Sequence, residues 1–430
     1  MDSLKTLLHP QQTSETKISR FKRRIKVLGI HLTPEEELVI TAYEHARVLS
    51  VDIGPRPSGS ENSKRTAEYL LSEFKSIGVA KAYIDEFRMR PAFWSGTASF
   101  ALVFSFVIML TMRDLSILAL TLAALLPVLT ILEIDQGREV MMKILPSSIG
   151  RNVIGIESPT NEMKNRVIIC AHHDSKTQAI PIGFRGVMLL FVLVGMIYLF
   201  IASLIKMLAD FVFTQLSFLT EYLILGSVVA TGYYGIYAIL NYVTSIIEES
   251  PGAEDNAIAV GIILELAKKL KDTRLEHTEM WYLFTDAEEI AMKGANVFAR
   301  QYKHDLEYAY VINIEGCGTD APLAYSVKQQ SIMSKPTSQT LIDILVNAAS
   351  EKGESITPIT FPATTDGYQF ARNGFEVVTI WRYDEDEKSV AHTPRDTIDR
   401  MDINAINKTM ECVESVLRII DGRESPAPNS

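Results

Sequence analysis

Four stretches of this 430-residue chain carry no charged side chain: 91–112, 115–132, 186–205 and 222–247. No other feature constrains the fold as strongly. A helix needs about 20 apolar residues to cross roughly 30 Å of hydrocarbon, and each stretch is near or above that length. A core helix of a soluble protein seldom stays uncharged for so long. The stretches therefore read as four membrane spans, with 115–132 the shortest. Residues 211–220 are also apolar, but Asp210 separates them from the third stretch, which suits a re-entrant or interfacial piece.

The spans form two hairpins, 91–134 and 183–247, and each interrupts a sequence that otherwise looks soluble. Segments flanking an inserted hairpin must lie on the same side of the membrane. Residues 33–90, 135–182 and 248–423 can therefore build one domain, with a basic segment at 1–32 and a disordered tail at 424–430. No signal-peptide apolar core is visible in 1–32. There Arg20, Lys22, Arg23, Arg24 and Lys26 interleave with Phe21, Ile25, Val27 and Leu28. That pattern suits an anionic membrane surface as well as it suits a solvated helix face.

Composition narrows the function. With 47% hydrophobic and 22% charged residues, the chain is neither mainly disordered nor fibrous. A net charge of −10 argues against nucleic acid as a partner. Three cysteines are too few, and odd in number, for a disulfide scaffold.

Short apolar, β-rich runs at 82–87, 152–156, 167–171, 280–285, 308–314 and 377–381 read as buried strands. Thr33-Pro34-Glu35-Glu36 opens a helix with a cap, a first-turn proline and a capping-box glutamate. Further helical spacing occurs at 62–75, 255–270, 289–302, 337–351, 366–373 and 403–420. The alternation predicts an α/β three-layer sandwich with a mixed, mostly parallel sheet, interrupted by the two transmembrane hairpins.

Candidate chemistry clusters behind these strands, where open sheets bind ligands. One strand ends in Ala171-His172-His173-Asp174-Ser175, and a His two before an Asp suits a metal ligand with a supporting carboxylate. Pro251-Gly252-Ala253-Glu254-Asp255-Asn256 opens a helix, where a carboxylate is equally a cap. Two further strands run into Asp286-Ala287-Glu288-Glu289 and Asn313-Ile314-Glu315, and His392 lies in a later loop. Each motif alone is weak. Together, two histidines and three carboxylates make a donor set for Zn²⁺, with Mn²⁺ or Co²⁺ as alternatives. Five ligands serve two metals if one carboxylate bridges, which leaves Glu288 over as a base.

The ordered set resembles peptidase family M28, the zinc aminopeptidases and carboxypeptidases. The matching stretches are Ile53-Gly54-Pro55-Arg56-Pro57-Ser58-Gly59-Ser60, Asn152–Gly155, Ala171–Ser175, Gly252–Asn256, Glu288-Glu289, Asn313–Glu315, Asp366 and His392-Thr393 with Asp396-Thr397. The hairpin-interrupted layout is most similar to the membrane-bound branch, such as the endoplasmic-reticulum metallopeptidases. The resemblance implies a di-zinc peptidase, most simply an aminopeptidase, acting on peptides. It implies that Asp255 bridges both metals. His172 and Glu315 would complete one metal site, and Glu289 and His392 the other. Glu288 would be general base and then general acid, Asp174 would orient His172, and Asn256 would hold the Asp255 turn. His173 is not expected to be a ligand, and Asp286 reads as a strand-end or solvent-facing residue.

Two departures stand out. Glu315 replaces the Asp of many relatives, and Ala391 stands where some carry an oxyanion-donating tyrosine; Tyr383 or Arg382 is a candidate substitute donor. Two other readings compete: a single-zinc glutaminyl cyclase, suggested by the resemblance of Ala171–Lys176, and a non-catalytic receptor or scaffold module. Arg88, Arg90, Arg138, Lys143, Lys176 and Arg185 lie on the domain side of the spans, against Arg113 and Lys206 on the far side. The positive-inside rule then puts the domain in the cytoplasm. Because hairpin 2 falls between His172 and Asp255, the catalytic mouth is expected close to the bilayer, acting on membrane-proximal peptides.

Overall fold

Helices and strands alternate in the computed structural model, which describes residues 34–89, 97–134, 147–177, 182–247, 249–331, 333–360, 364–383 and 389–423. The described elements begin with α1 (Pro34–Arg47), α2 (Glu61–Ile77) and β1 (Lys81–Met89). Next come α3 (Thr97–Met112), α4 (Ser116–Ile134), β2 (Ser148–Glu157) and β3 (Asn165–His172). They continue through α5 (Ile182–Phe211), α6 (Thr220–Ile247), α7 (Ile258–Asp272), β4 (Thr278–Thr285), α8 (Lys293–Gln301) and β5 (Tyr310–Glu315). Then follow β6 (Leu323–Ser326), β7 (Lys328–Gln329), β8 (Lys335–Pro336), α9 (Gln339–Glu351) and β9 (Ile356–Ile359). The last are α10 (Asp366–Arg372), β10 (Glu376–Arg382) and α11 (Ile403–Asp421). The basic segment 1–32 and the tail 424–430 lie outside the described residues.

One eight-stranded sheet runs in the order β1-β2-β4-β3-β5-β10-β6-β9. The β4–β3, β3–β5, β5–β10 and β6–β9 pairings are parallel; β1–β2, β2–β4 and β10–β6 are antiparallel. Strand residues alternate between two faces. Val167, Ile169, Tyr282, Phe284, Ile312 and Ile314 face a core built with α1, α2, α7, α9 and α11. Ile168, Cys170, Trp281, Leu283 and Val311 face a second core with Phe298 of α8 and Phe370 of α10. Three layers result, as the sequence predicts. The short strands β6 and β9 escape the sequence reading: each has four residues, and β9 carries Pro358, as suits a sheet edge.

Local signals fix the helix ends that matter for the site. Ser60 caps α2 by accepting the Ser63 N–H, and Asp402 caps α11 by accepting that of Ala405. Phe74 of α2 stacks on Phe284 of β4 with ring centroids 5.2 Å apart, and burying a side chain of this size contributes about 1.5–3 kcal/mol.

The helices α3 to α6 pack on one another through Ile108, Met112, Ala123, Leu126, Val192, Leu199 and Tyr234. Their outward residues are apolar too, among them Phe106, Leu110, Leu190, Ile197, Val229, Ile236 and Ile239. Two segments, Val187–Phe211 and Thr214–Leu240, are long and apolar enough to cross a membrane. In α3 and α4 the apolar segments are shorter, Leu102–Met112 and Ser116–Leu129. Arg113, in the α3–α4 turn, pairs with Glu221 at the start of α6 at 2.9 Å, so both hairpin turns lie at the same end of the bundle.

The sheet also fixes where the hairpins leave the domain. Met89, the end of β1, pairs with Ser148, the start of β2. The early part of β2 lies beside the carboxyl end of β4, with Val153 opposite Phe284. Hairpin 2 follows the carboxyl end of β3. Both hairpins therefore depart from the sheet edge at which β3, β4 and β5 end.

Candidate metal centre

That edge gathers the predicted residues. His172 is the last residue of β3, and Glu315 the last of the neighbouring β5. On the other side of β3, β4 ends opposite His172 at Thr285 and runs into the turn that carries Glu288 and Glu289. Asp255 arrives in the turn 253–257 ahead of α7, and its peptide bond to Asn256 is cis. His392 comes from the loop after β10, with φ at 65°.

The distances separate these side chains into two triads that share Asp255. His172 Nε2 lies 3.1 Å from Asp255 Oδ1 and 3.4 Å from Glu315 Oε2. His392 Nε2 lies 3.0 Å from Asp255 Oδ2 and 2.8 Å from Glu289 Oε1. Each Asp255 oxygen thus faces a different histidine. Glu289 Oε1 is buried and, despite its closeness to His392, has no aligned hydrogen bond. Such an oxygen is costly unless something else occupies its lone pair. Ligand atoms within 4.8 Å of one another, of histidine and carboxylate type, fit divalent zinc on both sides of Asp255. His172 is fully buried, whereas Asp255 and His392 keep about a fifth of their side-chain surface exposed, which leaves one side open.

The surroundings hold this set in place. His172 Nδ1 lies 3.1 Å from the Asp174 carbonyl and 3.4 Å from its carboxylate, the arrangement that fixes a ligating imidazole. Asp174 also accepts from Ser58 Oγ (2.7 Å) and from the backbone N–H groups of Glu288 (3.2 Å) and Glu289 (3.3 Å). Asn256 donates to Glu315 Oε2 at 3.0 Å and to the Ile314 carbonyl, and accepts from the Gly316 N–H. It therefore holds Glu315 as well as its own turn. Asn313 donates to the other oxygen of Glu315 at 2.9 Å. Asp396 accepts the N–H groups of Glu254 (2.7 Å) and Asp255 (3.1 Å).

The electrostatics follow from crowding. Burial lowers the His172 pKa, but Asp174, Asp255 and Glu315 outweigh it and hold the ring well above its ordinary value. His392, likewise opposed by burial, is raised to about 9 by Glu289 and Asp255. Burial, with Glu289, Glu315 and Asp366 nearby, pushes Glu288 well above the usual carboxylate range against the pull of His172. A carboxyl shifted upward in this way is a better proton acceptor than an ordinary surface carboxylate.

The structure separates the supporting candidates. His173 turns away, its Nε2 2.8 Å from the Arg151 carbonyl. Asp286 ends its strand but is fully buried rather than solvent-facing, accepting from Ser63 Oγ and the Arg151 N–H. Arg382 is a correction. Its guanidinium donates to Thr409 Oγ1, the Ala321 carbonyl and Glu354 at 2.9–3.1 Å, inside the domain, so those N–H groups are not available to an oxyanion. Tyr383 packs on the main core, with its N–H on the Pro322 carbonyl.

Two further residues lie beside the cluster. Lys176 places Nζ 3.3 Å from Glu289 Oε2. Arg56 is fully buried and reaches the loops on both sides of hairpin 2. The only sequence signal for it is its place within the Ile53–Ser60 stretch.

Fold and site together place two clusters of potential metal ligands at the carboxyl edge of a mixed α/β sheet. Residues 239–417 match the model of peptidase family M28. Among solved structures it is similar to BSAP, a zinc aminopeptidase from Bacillus subtilis, at 14% identity and a TM-score of 0.53, over 88% of this chain and 94% of that one. A Zn-dependent exopeptidase from Parabacteroides distasonis aligns at 17% identity and a TM-score of 0.53, over 90% and 98%. A glutaminyl cyclase from Fimbriiglobus ruber aligns at 16% and 0.54, over 89% and 95%. Likeness at these identities is one of fold. No curated protein matches the sequence.

Proposed function

We propose that the chain is a membrane-anchored di-zinc aminopeptidase. The observation that carries this reading is the position of Asp255, one oxygen toward His172 and the other toward His392. His172 and Glu315 would hold one zinc, Glu289 and His392 the other, and Asp255 both. Zinc held there would supply Lewis-acid polarisation of the scissile carbonyl and a lowered pKa for water. Glu288 would act as the general base for the attacking water and then as the general acid toward the leaving amine. Asp174 keeps Nε2 of His172 turned inward by occupying Nδ1, and Asn256 and Asn313 fix both oxygens of Glu315. Mn²⁺ and Co²⁺ suit the same donors.

A glutaminyl-cyclase activity is the second reading, because the fold likeness to such an enzyme equals that to the aminopeptidases. The two-sided Asp255 favours the two-metal peptidase. Elemental analysis of purified protein, with turnover of aminoacyl chromogenic substrates and of N-terminal glutaminyl peptides, separates the readings. Two zinc per chain with aminoacyl hydrolysis is the expected result. One zinc with cyclisation, or no metal and no turnover, refutes the proposal.

Four spans in two hairpins form the anchor in this reading. The 30 residues of α5 reach about 45 Å, enough for the hydrocarbon layer and its interfaces. Its outward face is apolar, as lipid requires. The excess of Lys and Arg on the domain side favours a cytoplasmic domain. Both hairpins leave from the edge that carries the metal ligands, which supports a mouth near the bilayer and peptide substrates presented there. Faster turnover of a lipid-anchored peptide than of its soluble form, in vesicles, is the expected outcome; equal rates count against it.

A further inference from the structure

Hairpin 2 poses a mechanical problem for the metal centre. His172 and Asp255 lie on opposite sides of it, ten residues before α5 begins and eight after α6 ends. Movement of either helix in the bilayer would be transmitted to the loop that carries one ligand. Something must hold the two loops at a fixed spacing.

Arg56 occupies the position from which that can be done. It is fully buried. Its Nε donates to the His173 carbonyl at 2.7 Å, immediately after the ligand His172. Its Nη1 and Nη2 donate to the carbonyls of Pro251 (2.6 Å) and Gly252 (2.7 Å), on the loop that leads to Asp255. A weaker bond from Nη1 reaches the Leu49 carbonyl at 3.5 Å. Its backbone binds the first loop as well: the Arg56 N–H donates to Ser175 Oγ, and the Arg56 carbonyl accepts the Ser175 N–H. The planar fork bridges both loops at once, which a lysine's point charge cannot do.

The second loop is shaped to receive this fork. Gly252 has φ at 61°, and a Cβ there would lie 2.6 Å from the Asp255 carbonyl and from Ser175 Cβ, and 3.2 Å from Arg56 Nη2. The side-chain hydrogen bonds of Arg56 end on neutral carbonyls rather than on a carboxylate. Its charge is balanced at a distance by Asp396, Asp174 and Asp255, the carboxylates that surround the metal set. Burying a guanidinium without a contacting anion is expensive, so a purely space-filling role is a poor explanation for it.

We infer that Arg56 is a positioning residue: it clamps the loops on either side of hairpin 2 and so sets the spacing of His172 and Asp255 for metal. The inference rests on the metal-site reading above, and zinc binding is measured apart from peptidase turnover so that each can fail alone. Groups that orient ligands without touching the metal typically change affinity by about 10- to 100-fold. In the full chain, reconstituted in lipid nanodiscs, R56K is expected to weaken zinc binding by that factor in competition titrations and to alter the absorption spectrum of the Co²⁺-substituted site. In the metal-free protein, amides of 172–175 and 252–256 should exchange faster, while those of α9 and α11 keep wild-type rates. A general structural loss would instead speed exchange throughout and leave the affinity of folded molecules unchanged. S175A, a smaller cut in the same clamp, is expected to lose several-fold. Wild-type zinc affinity and cobalt spectrum in R56K, or in S175A should R56K not fold, overturn the inference.

Discussion

Asp366 offers the sharpest test of how the site's negative charge is borne. It is fully buried at the start of α10. Thr285 Oγ1 donates to its Oδ2, while Oδ1 has no hydrogen-bond partner. Burial first, and then the nearby Glu315, raise its pKa from 3.8 to about 7. In the metal-free protein the folded state therefore holds a proton that the unfolded chain releases. As pH rises from about 4 to 7, the unfolded state binds fewer protons than the folded state, so stability falls across that window. The full shift corresponds to about 4 kcal/mol, at roughly 1.4 kcal/mol per pH unit. Asn at this position keeps an acceptor for Thr285 and does not titrate. Metal-free D366N should match wild type near pH 4 and exceed it at pH 8 by up to about 4 kcal/mol. At about 2 °C per kcal/mol, that is roughly 8 °C in melting temperature. The assay is thermal unfolding in detergent with chelator, at closely spaced pH values. Zinc should narrow the gap, because added positive charge favours the ionised carboxylate. A difference between variant and wild type that stays flat from pH 4 to 8 would refute the reasoning.

The proposed roles of the other carboxylates are separable by kinetics and metal content. E288Q should lower kcat/KM by about 10²- to 10⁴-fold, or roughly 3–5 kcal/mol, with zinc affinity close to wild type; lost zinc would reassign Glu288 as a ligand. D255A should lose both zinc equivalents together, measured by elemental analysis after desalting. Retention of one tightly bound zinc would show that Asp255 does not bridge.

Much of the sheet and of the site was legible because the two signals reinforce each other. Strands β1 to β5 and β10 carry apolar runs that few other structures explain, and the candidate ligands follow those runs. Glu315 stood out because a charge ending an apolar strand needs a partner, and Asn313, Asn256 and His172 supply it. The inward turn of Arg382 is not legible in the sequence. Lying at the end of β10 says that it is near the functional edge, not which way its side chain turns, and that depends on α11 and Glu354 from elsewhere in the chain. Arg56 is a harder case. No periodicity reveals that a guanidinium will insert between loops 117 and 196 positions away. The two short strands β6 and β9 hold four residues each, too few for a pattern to rise above chance.

The pairing register adds a relation that neither the motifs nor the apolar stretches contain. Hairpin 1 replaces the turn of an antiparallel pair, β1 and β2, while hairpin 2 extends a connection that leaves a parallel strand, β3. These are different kinds of connection, and nothing in their sequence requires them to emerge together. They do so because β2 runs antiparallel to β4, which turns its start toward the carboxyl edge of β3, β4 and β5. In the proposed reading, helices inserted at the opposite edge would tether the same domain equally well. Attachment at the edge bearing His172, Glu289 and Glu315 instead limits how far the ligand set can stand from the helices. In the proposed membrane-anchored reading, the placement of the helices would constrain substrate access as well as location.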